Sequence, residues 1–210
     1  MRDVRGTSFS CQDAAMKTPS APARPYHHGN LRTSLLDAAE ALLAERGVQG
    51  LTLREVARVA GVSHAAPYHH FGSLNELLAG VAQRGFEALG AAMAEAVSVP
   101  DTRERLLRVT QGYVACALAQ PERFRLMFGP MLANKAEHPA LKAAAECAFG
   151  YVLQAALAHD KRRGSDLAVA GWSLAHGLSH LLIDGAFEGM PLRQARPDTL
   201  ARQLGERLLG

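Results

Sequence analysis

Apolar residues along this chain recur at three- and four-residue intervals, and nowhere do they alternate with the period of two that a half-buried strand requires. The first such segment starts at Asn30, a residue able to cap a helix. It puts Leu35, Ala39, Leu42 and Leu43 on one face and ends at Gly47. The next is short: Leu53, Val56, Ala57 and Ala60 occupy i, i+3, i+4 and i+7, behind a T-x-x-E capping box made by Thr52 and Glu55. Gly61 can take the positive φ that ends a helix abruptly, Val62 can plug the gap between helices, and Ser63 can cap the next one. Ser73 and Glu76 repeat the capping-box signature and open a long helix to about Val97. Gly80, Gly85 and Gly90 interrupt that helix at up to ~1 kcal/mol each against Ala, which predicts close packing or a gentle bend.

Short helix, tight turn, second short helix and long helix make a helix-turn-helix, whose second helix can lie in the major groove of DNA. The rest of the chain also reads as helical. Thr102 to Ala119 is amphipathic, Pro121 opens a short helix ending at Gly129-Pro130, and Pro139 opens another to about His159. Ser165 or Asp166 caps a helix to about Ala186, and Asp198 can start the last one. The predicted fold is all-α, with residues 1–25 a disordered extension, 26–75 a helix-turn-helix domain and 76–210 a helical regulatory and dimerisation domain. Met16-Lys17-Thr18 has the look of an alternative translation start.

In the helix expected over 165–187, Trp172, His176 and His180 form one stripe continued by Ile183 and Phe187. Leu167, Gly171, Leu174, Leu178 and Leu181 fill another. A helix apolar nearly all round must be covered on more than one side. This predicts a homodimer through 165–187 and the last helix, 198–209, with Leu200, Leu204 and Leu208.

Charge changes this picture little. The chain has 210 residues and a net charge of +3, and its N-terminal part nearly balances: Arg24, Arg32, Arg46, Arg54 and Arg58 against Asp37, Glu40, Glu45 and Glu55. Histidine is the unusual residue there. His27, His28, His64, His69 and His70 make up more than half of the chain's nine, and imidazole can donate to phosphates or base edges. No apolar run reaches the ~18 residues of a membrane span, and no signal-peptide pattern opens the chain. Cys11, Cys116 and Cys147 are widely spaced, which suits a reducing compartment better than a disulfide framework.

The sequence Ala60-Gly61-Val62-Ser63, followed by Tyr68, Phe71 and Ser73, resembles the A-G-V-S-x-x-x-x-Y-x-x-F-x-S motif of the TetR family of bacterial transcriptional regulators. Leu126-Met127-Phe128-Gly129-Pro130 and Trp172-Ser173-Leu174-Ala175-His176-Gly177-Leu178 are similar to the WHG-type regulatory domain. The resemblance implies a cytoplasmic, nucleoid-associated repressor that binds a palindromic operator. It puts Ser63, His64, Ala65 and Ala66 at base edges, Tyr68 and His69 on phosphates, and Phe71 and Val62 between the helices. Thr52 and, near the first helix, Arg24, His27, His28 and Arg32 complete the expected DNA contacts.

Two positions depart from the family. Leu74 stands where a phosphate-contacting Lys is usual, and Pro67 lies inside the reading helix, which should begin late or open loosely. The small apolar face of Ala65 and Ala66 suits a thymine methyl rather than a bidentate guanine contact.

In the C-terminal part, Tyr113, Cys116, Phe124, Met127, Phe128, Met131, Cys147, Tyr151, Trp172 and His176 are the candidates for a pocket taking an apolar or aromatic small molecule. Ser173 and Ser179 beside His176 and His180 lack a base–nucleophile–orienter set, so catalysis is not expected. His27-His28 and His69-His70 lack partners at metal-ligand spacing, and neither a metal nor a cofactor is expected. A second reading of the same residues is a helical small-molecule or metal sensor whose helix-turn-helix no longer contacts DNA; Leu74 and the nearly neutral N-terminal part keep it open.

Overall fold

The computed structural model describes residues 31–190 and 196–210. Arg24, His27, His28, the expected cap Asn30, Cys11 and the N-terminal extension lie outside the described residues. Among those described there are eight α-helices and no strand: α1 Leu31–Arg46, α2 Leu53–Val59, α3 Leu74–Ala94, α4 Thr102–Ala119, α5 Pro121–Phe128, α6 Pro139–His159, α7 Gly164–Ile183 and α8 Pro197–Leu209. Among the described residues no helix is long and apolar enough to cross a membrane.

The long helix α3 is the spine. Leu77, Leu78, Val81, Ala82, Phe86, Leu89 and Met93 are buried along it, and α1, α4, α5 and α6 pack against it. At Gly85 an added Cβ would stand 2.5 Å from Met127 Sδ, so glycine lets α5 dock there without a gap. The helix closes at Ala94 and tightens into a 3₁₀ turn, Glu95–Ser98, three residues before the expected end. At the other end, α8 rests on α4 and α7. The helix expected over 165–187 spans Gly164–Ile183: the Asp160 carboxylate holds the N–H groups of Arg162 and Arg163 just before its start, and Gly185, at φ 67°, closes its end.

The reading helix differs most from expectation. In place of an α-helix after Ser63, the chain makes successive turns and one short 3₁₀ helix, Ala66–His69, without a side-chain cap from Ser63. Pro67 is the reason. An α-helix would pair the Ser63 carbonyl with the N–H of residue 67, which proline lacks; that carbonyl instead takes the N–H of Ala66 at 3.0 Å. Tyr68 N–H then bonds Ala65 O at 3.2 Å, and the N–H groups of His70 and Phe71 converge on Pro67 O at 3.0 and 2.9 Å.

Candidate DNA interface and effector cavity

The framework of the helix-turn-helix is held by backbone caps. Thr52 Oγ1 accepts the Glu55 N–H at 3.1 Å and Ser73 Oγ accepts the Glu76 N–H at 3.2 Å. Neither acid completes its box by reaching back to the cap. Glu76 takes the N–H of Gly72 at 2.7 Å, and Glu55 pairs with Arg58 and Arg46. At the end of α2, Gly61 adopts φ 69°, with Gly61 N–H on Arg58 O (3.2 Å) and Val62 N–H on Ala57 O (3.0 Å). These two bonds are a Schellman closure, and Val62 turns inward against the core.

Pro67 and Phe71 are buried, which pins the reading segment from beneath. Ser63, His64, Ala65, Tyr68, His69 and His70 are left exposed, Ala66 half-buried, and Tyr68 keeps 64% of its surface open. Arg32, also exposed, holds its guanidinium 5.2 Å from the Phe71 ring centre, beside an open groove of about 460 Å³ between the starts of α3 and α6. Leu74 packs against the core, so the position serves stability. Electrostatics are restrained as well. Glu55 ties up Arg58 and Arg46, and its carboxyl is held below the ordinary range, first by the hydrogen bond from Arg58. Arg54, exposed on α2 and without an ion pair among the described residues, is a phosphate candidate that the motif did not single out.

The second site is a small, partly open cavity of about 30 Å³ between α3, α4, α5, α6 and α7. It is lined by Phe86, Leu89, Met93, Tyr113, Phe128, Ala145, Ala148, Phe149, Val152 and Trp172. A smaller void of about 20 Å³ lies on the α4–α7 side and shares Tyr113, Val152 and Trp172 as a wall. Trp172 Nε1 donates to Tyr113 Oη at 3.3 Å, and Tyr113 Oη lies 2.9 Å from His176 Nδ1. Indole is only a donor, so the tyrosine oxygen accepts from it; towards His176 the phenol can donate to Nδ1 of an imidazole protonated at Nε2 or accept from Nδ1–H. Burial, and then His180 beside it, lowers the His176 pKa, while burial raises that of Tyr113. Phe124 and Phe128 enclose the imidazole at centroid distances of 5.5 and 4.5 Å.

Of the expected pocket residues, Tyr113, Phe128 and Trp172 line the cavity, while His176 and Phe124 back them. Met127 packs toward Gly85, and Tyr151 lies beside Gly90. Cys116 is half-buried outside the lining, its thiol pKa pushed up by burial. Met131 is 48% exposed, because the chain leaves α5 at Gly129 before reaching it. Cys147 is half-buried on α6, outside the lining. The wall contributed by α3 and α6 was missed. Its signal, Phe86, Leu89 and Met93 on one face and Ala145, Ala148, Phe149 and Val152 on another, is the same periodicity that marks any core.

Residues 35–81 match the family described as bacterial regulatory proteins, tetR family, and residues 106–208 match the tetracyclin repressor-like C-terminal domain. The HTH-type transcriptional repressor KstR2 of Rhodococcus jostii is 38% identical over 88 residues, 40% of this chain and 42% of that protein. The repressor AcnR of Corynebacterium glutamicum is 34% identical over 98 residues, 47% and 46% of the two chains. The chain thus spans less than half the length of these curated relatives. Among solved structures, a protein with unknown function from Rhodococcus sp. RHA1 is 32% identical with a TM-score of 0.75, covering 89% of this chain and 97% of that one. The TetR family transcriptional regulator PfmR of Thermus thermophilus shares the fold at 24% identity and a TM-score of 0.61, covering 83% and 96%. The chain belongs to the TetR family of bacterial regulatory proteins. Its named relatives are regulators of transcription.

Proposed function

We propose that this protein is a ligand-responsive repressor that binds a palindromic operator as a homodimer. One observation carries the DNA half of the reading: Ser63, His64, Ala65, Tyr68 and His69 stand exposed on a segment pinned from beneath by Pro67 and Phe71. Short and polar side chains on a fixed backbone can enter a groove; a hairpin that merely packed would bury this face. The dimer reading is supported by apolar side chains left open on α7 and α8, with Val169 at 55%, Leu181 at 45% and Leu208 at 36% exposure. Pairing through these helices would set two reading segments about 34–36 Å apart, one turn of DNA. On this reading residues 26–75 form the DNA-binding unit and residues 76–210 the regulatory and dimerisation unit.

Regulation needs an effector with different affinities for the operator-bound and free forms. The aromatic cavity around Tyr113 and His176 is the place for it, and an apolar or aromatic small molecule is the class that its walls favour. Selection of bound fragments from the source genome, followed by footprinting, tests the DNA half. A recurring inverted repeat protected over two successive major grooves is the expected result. Failure to enrich any sequence would leave the second reading, a sensor with a degenerate helix-turn-helix, which the neutralisation of Arg46 and Arg58 by Glu55 and the packing of Leu74 against the core favour. Sedimentation of the chain as a monomer at micromolar concentration would remove the dimer.

A further inference from the structure

We propose, on the reading that this cavity takes the effector, that the effector is an uncharged molecule with an apolar body and one hydroxyl group, which inserts between Trp172 and Tyr113. The cavity lining contains no ionisable acid or base other than the Tyr113 phenol. Its polar atoms form a single chain from indole to phenol to imidazole, and the link from Trp172 Nε1 to Tyr113 Oη, at 3.3 Å, is longer than the 2.9 Å link to His176. A ligand hydroxyl placed there accepts from the indole N–H and donates to the tyrosine oxygen, so the one indole–phenol bond is exchanged for two and no polar group is left unpaired. Trp172, 36% exposed, is the part of the lining open to solvent, with the Phe149 ring tilted against it at a centroid distance of 5.3 Å. The two voids that share the Tyr113–Trp172 wall hold only about 30 and 20 Å³, so joining them is a start, and the apolar body also needs the flanking side chains to give way.

A charged effector finds no counterion in the lining. The Arg123 guanidinium is directed to Glu40 at 3.7 Å. Lys135 stacks over the Phe86 ring at 5.7 Å without lining the cavity. His176 is engaged with Tyr113 at 2.9 Å, and burial, which lowers its pKa, opposes its taking a proton to meet a carboxylate. A carboxylate buried here would be unpaired, and an ammonium would face only ring surfaces and one phenol oxygen.

Trp172 is the chain's single tryptophan, so its fluorescence reports the site directly. The full chain at pH 7.5 is titrated with 4-butylphenol, 4-butylbenzoate, 4-butylbenzylamine and butylbenzene. The phenol is expected to bind at least about tenfold more tightly than the acid or the amine. Tyr113→Phe is expected to weaken the phenol by about tenfold and leave butylbenzene unchanged, which separates a lost hydrogen bond from a damaged cavity. Benzoate or benzylamine binding as tightly as the phenol overturns this inference and leaves the cavity as an effector site, with Lys135 the first partner to examine for the acid. Equal loss of phenol and butylbenzene in Tyr113→Phe also overturns it. Silence of the tryptophan towards all four probes removes the effector site from this cavity altogether.

Discussion

Arg123 on α5 and Glu40 on α1 face each other at 3.7 Å, and the same carboxylate is 3.3 Å from Arg84 on α3, whose guanidinium also holds Asp37 at 2.6 Å. Glu40 therefore ties the first helix both to the spine and to α5. The other side of α5 presents Phe124 and Phe128 to His176, so a molecule that moves those rings also moves the Arg123 end of the ion pair. Glu40→Gln is predicted to leave operator affinity and effector affinity each close to wild type while shrinking the coupling between them. The ratio of operator Kd with and without effector should fall by about threefold, the scale of one partly exposed ion pair. An unchanged ratio would mean that the signal travels along α3 alone.

Gly61 isolates the backbone contribution to the turn. Its φ is 69°, and a Cβ added there would meet nothing within 4 Å, so a side chain incurs only the left-handed strain. Gly61→Ala is predicted to cost about 1–2 kcal/mol in urea unfolding, and Gly61→Asn distinctly less, because asparagine tolerates this region. Operator affinity should drop in the same order. Two variants as stable as wild type would show that the Schellman closure relaxes without penalty.

Most of the fold could be read from the chain because its signals are local. Capping residues, helix-stopping glycines and three-to-four periodicity act within a turn or two, and Thr52, Gly61 and Ser73 are placed as their types demand. The reading segment was legible only halfway: Pro67 warned of a loose start, but the collapse to a 3₁₀ turn depends on which N–H claims the Ser63 carbonyl. In the cavity, periodicity identifies an inward face without separating a wall from a core, which is why Phe86 and Phe149 were passed over. The Tyr113–His176 bond joins residues 63 positions apart, and no local pattern encodes it.

On the DNA face, Tyr68 and Arg32 separate two kinds of loss. Tyr68 is 64% exposed, so Tyr68→Phe should leave stability unchanged. It should weaken binding to all sequences alike by loss of one phosphate hydrogen bond, with little change in salt slope. Arg32→Ala removes a cation, so the slope of log affinity against log salt should become shallower by about 1. It also removes the guanidinium from over Phe71, at about 0.5–1 kcal/mol of stability. Fluorescence anisotropy at several salt concentrations, set beside urea melts, measures both. An Arg32→Ala protein with the wild-type slope would assign that side chain to packing alone, and replacement of Ala65 should shift sequence preference with the slope untouched.

The last prediction concerns acid and the far end of the molecule. Glu104 on α4 receives both terminal nitrogens of Arg202 on α8, at 3.0 and 2.8 Å, and Arg108 at 3.1 Å. The hydrogen bonds from Arg202, and then from Arg108, hold its pKa at about 2, against an ordinary 4.5. A carboxyl depressed in this way binds fewer protons folded than unfolded. Its stabilisation is complete above about pH 4.5 and disappears as pH falls through about 2. The side chain retains 28% of its surface open to water, so screening reduces the effect to about 1 kcal/mol. Urea melts between pH 2 and 5 should show this slope in wild type and its absence in Glu104→Gln. Because α8 carries Leu208 into the proposed dimer surface, the same variant at neutral pH should raise the dimer dissociation constant by up to about fivefold, measured by sedimentation. A flat acid profile in wild type, or a dimer indifferent to Glu104→Gln, would show that α8 is held by its buried Ala201 and Gly205 face without help from the ion pair.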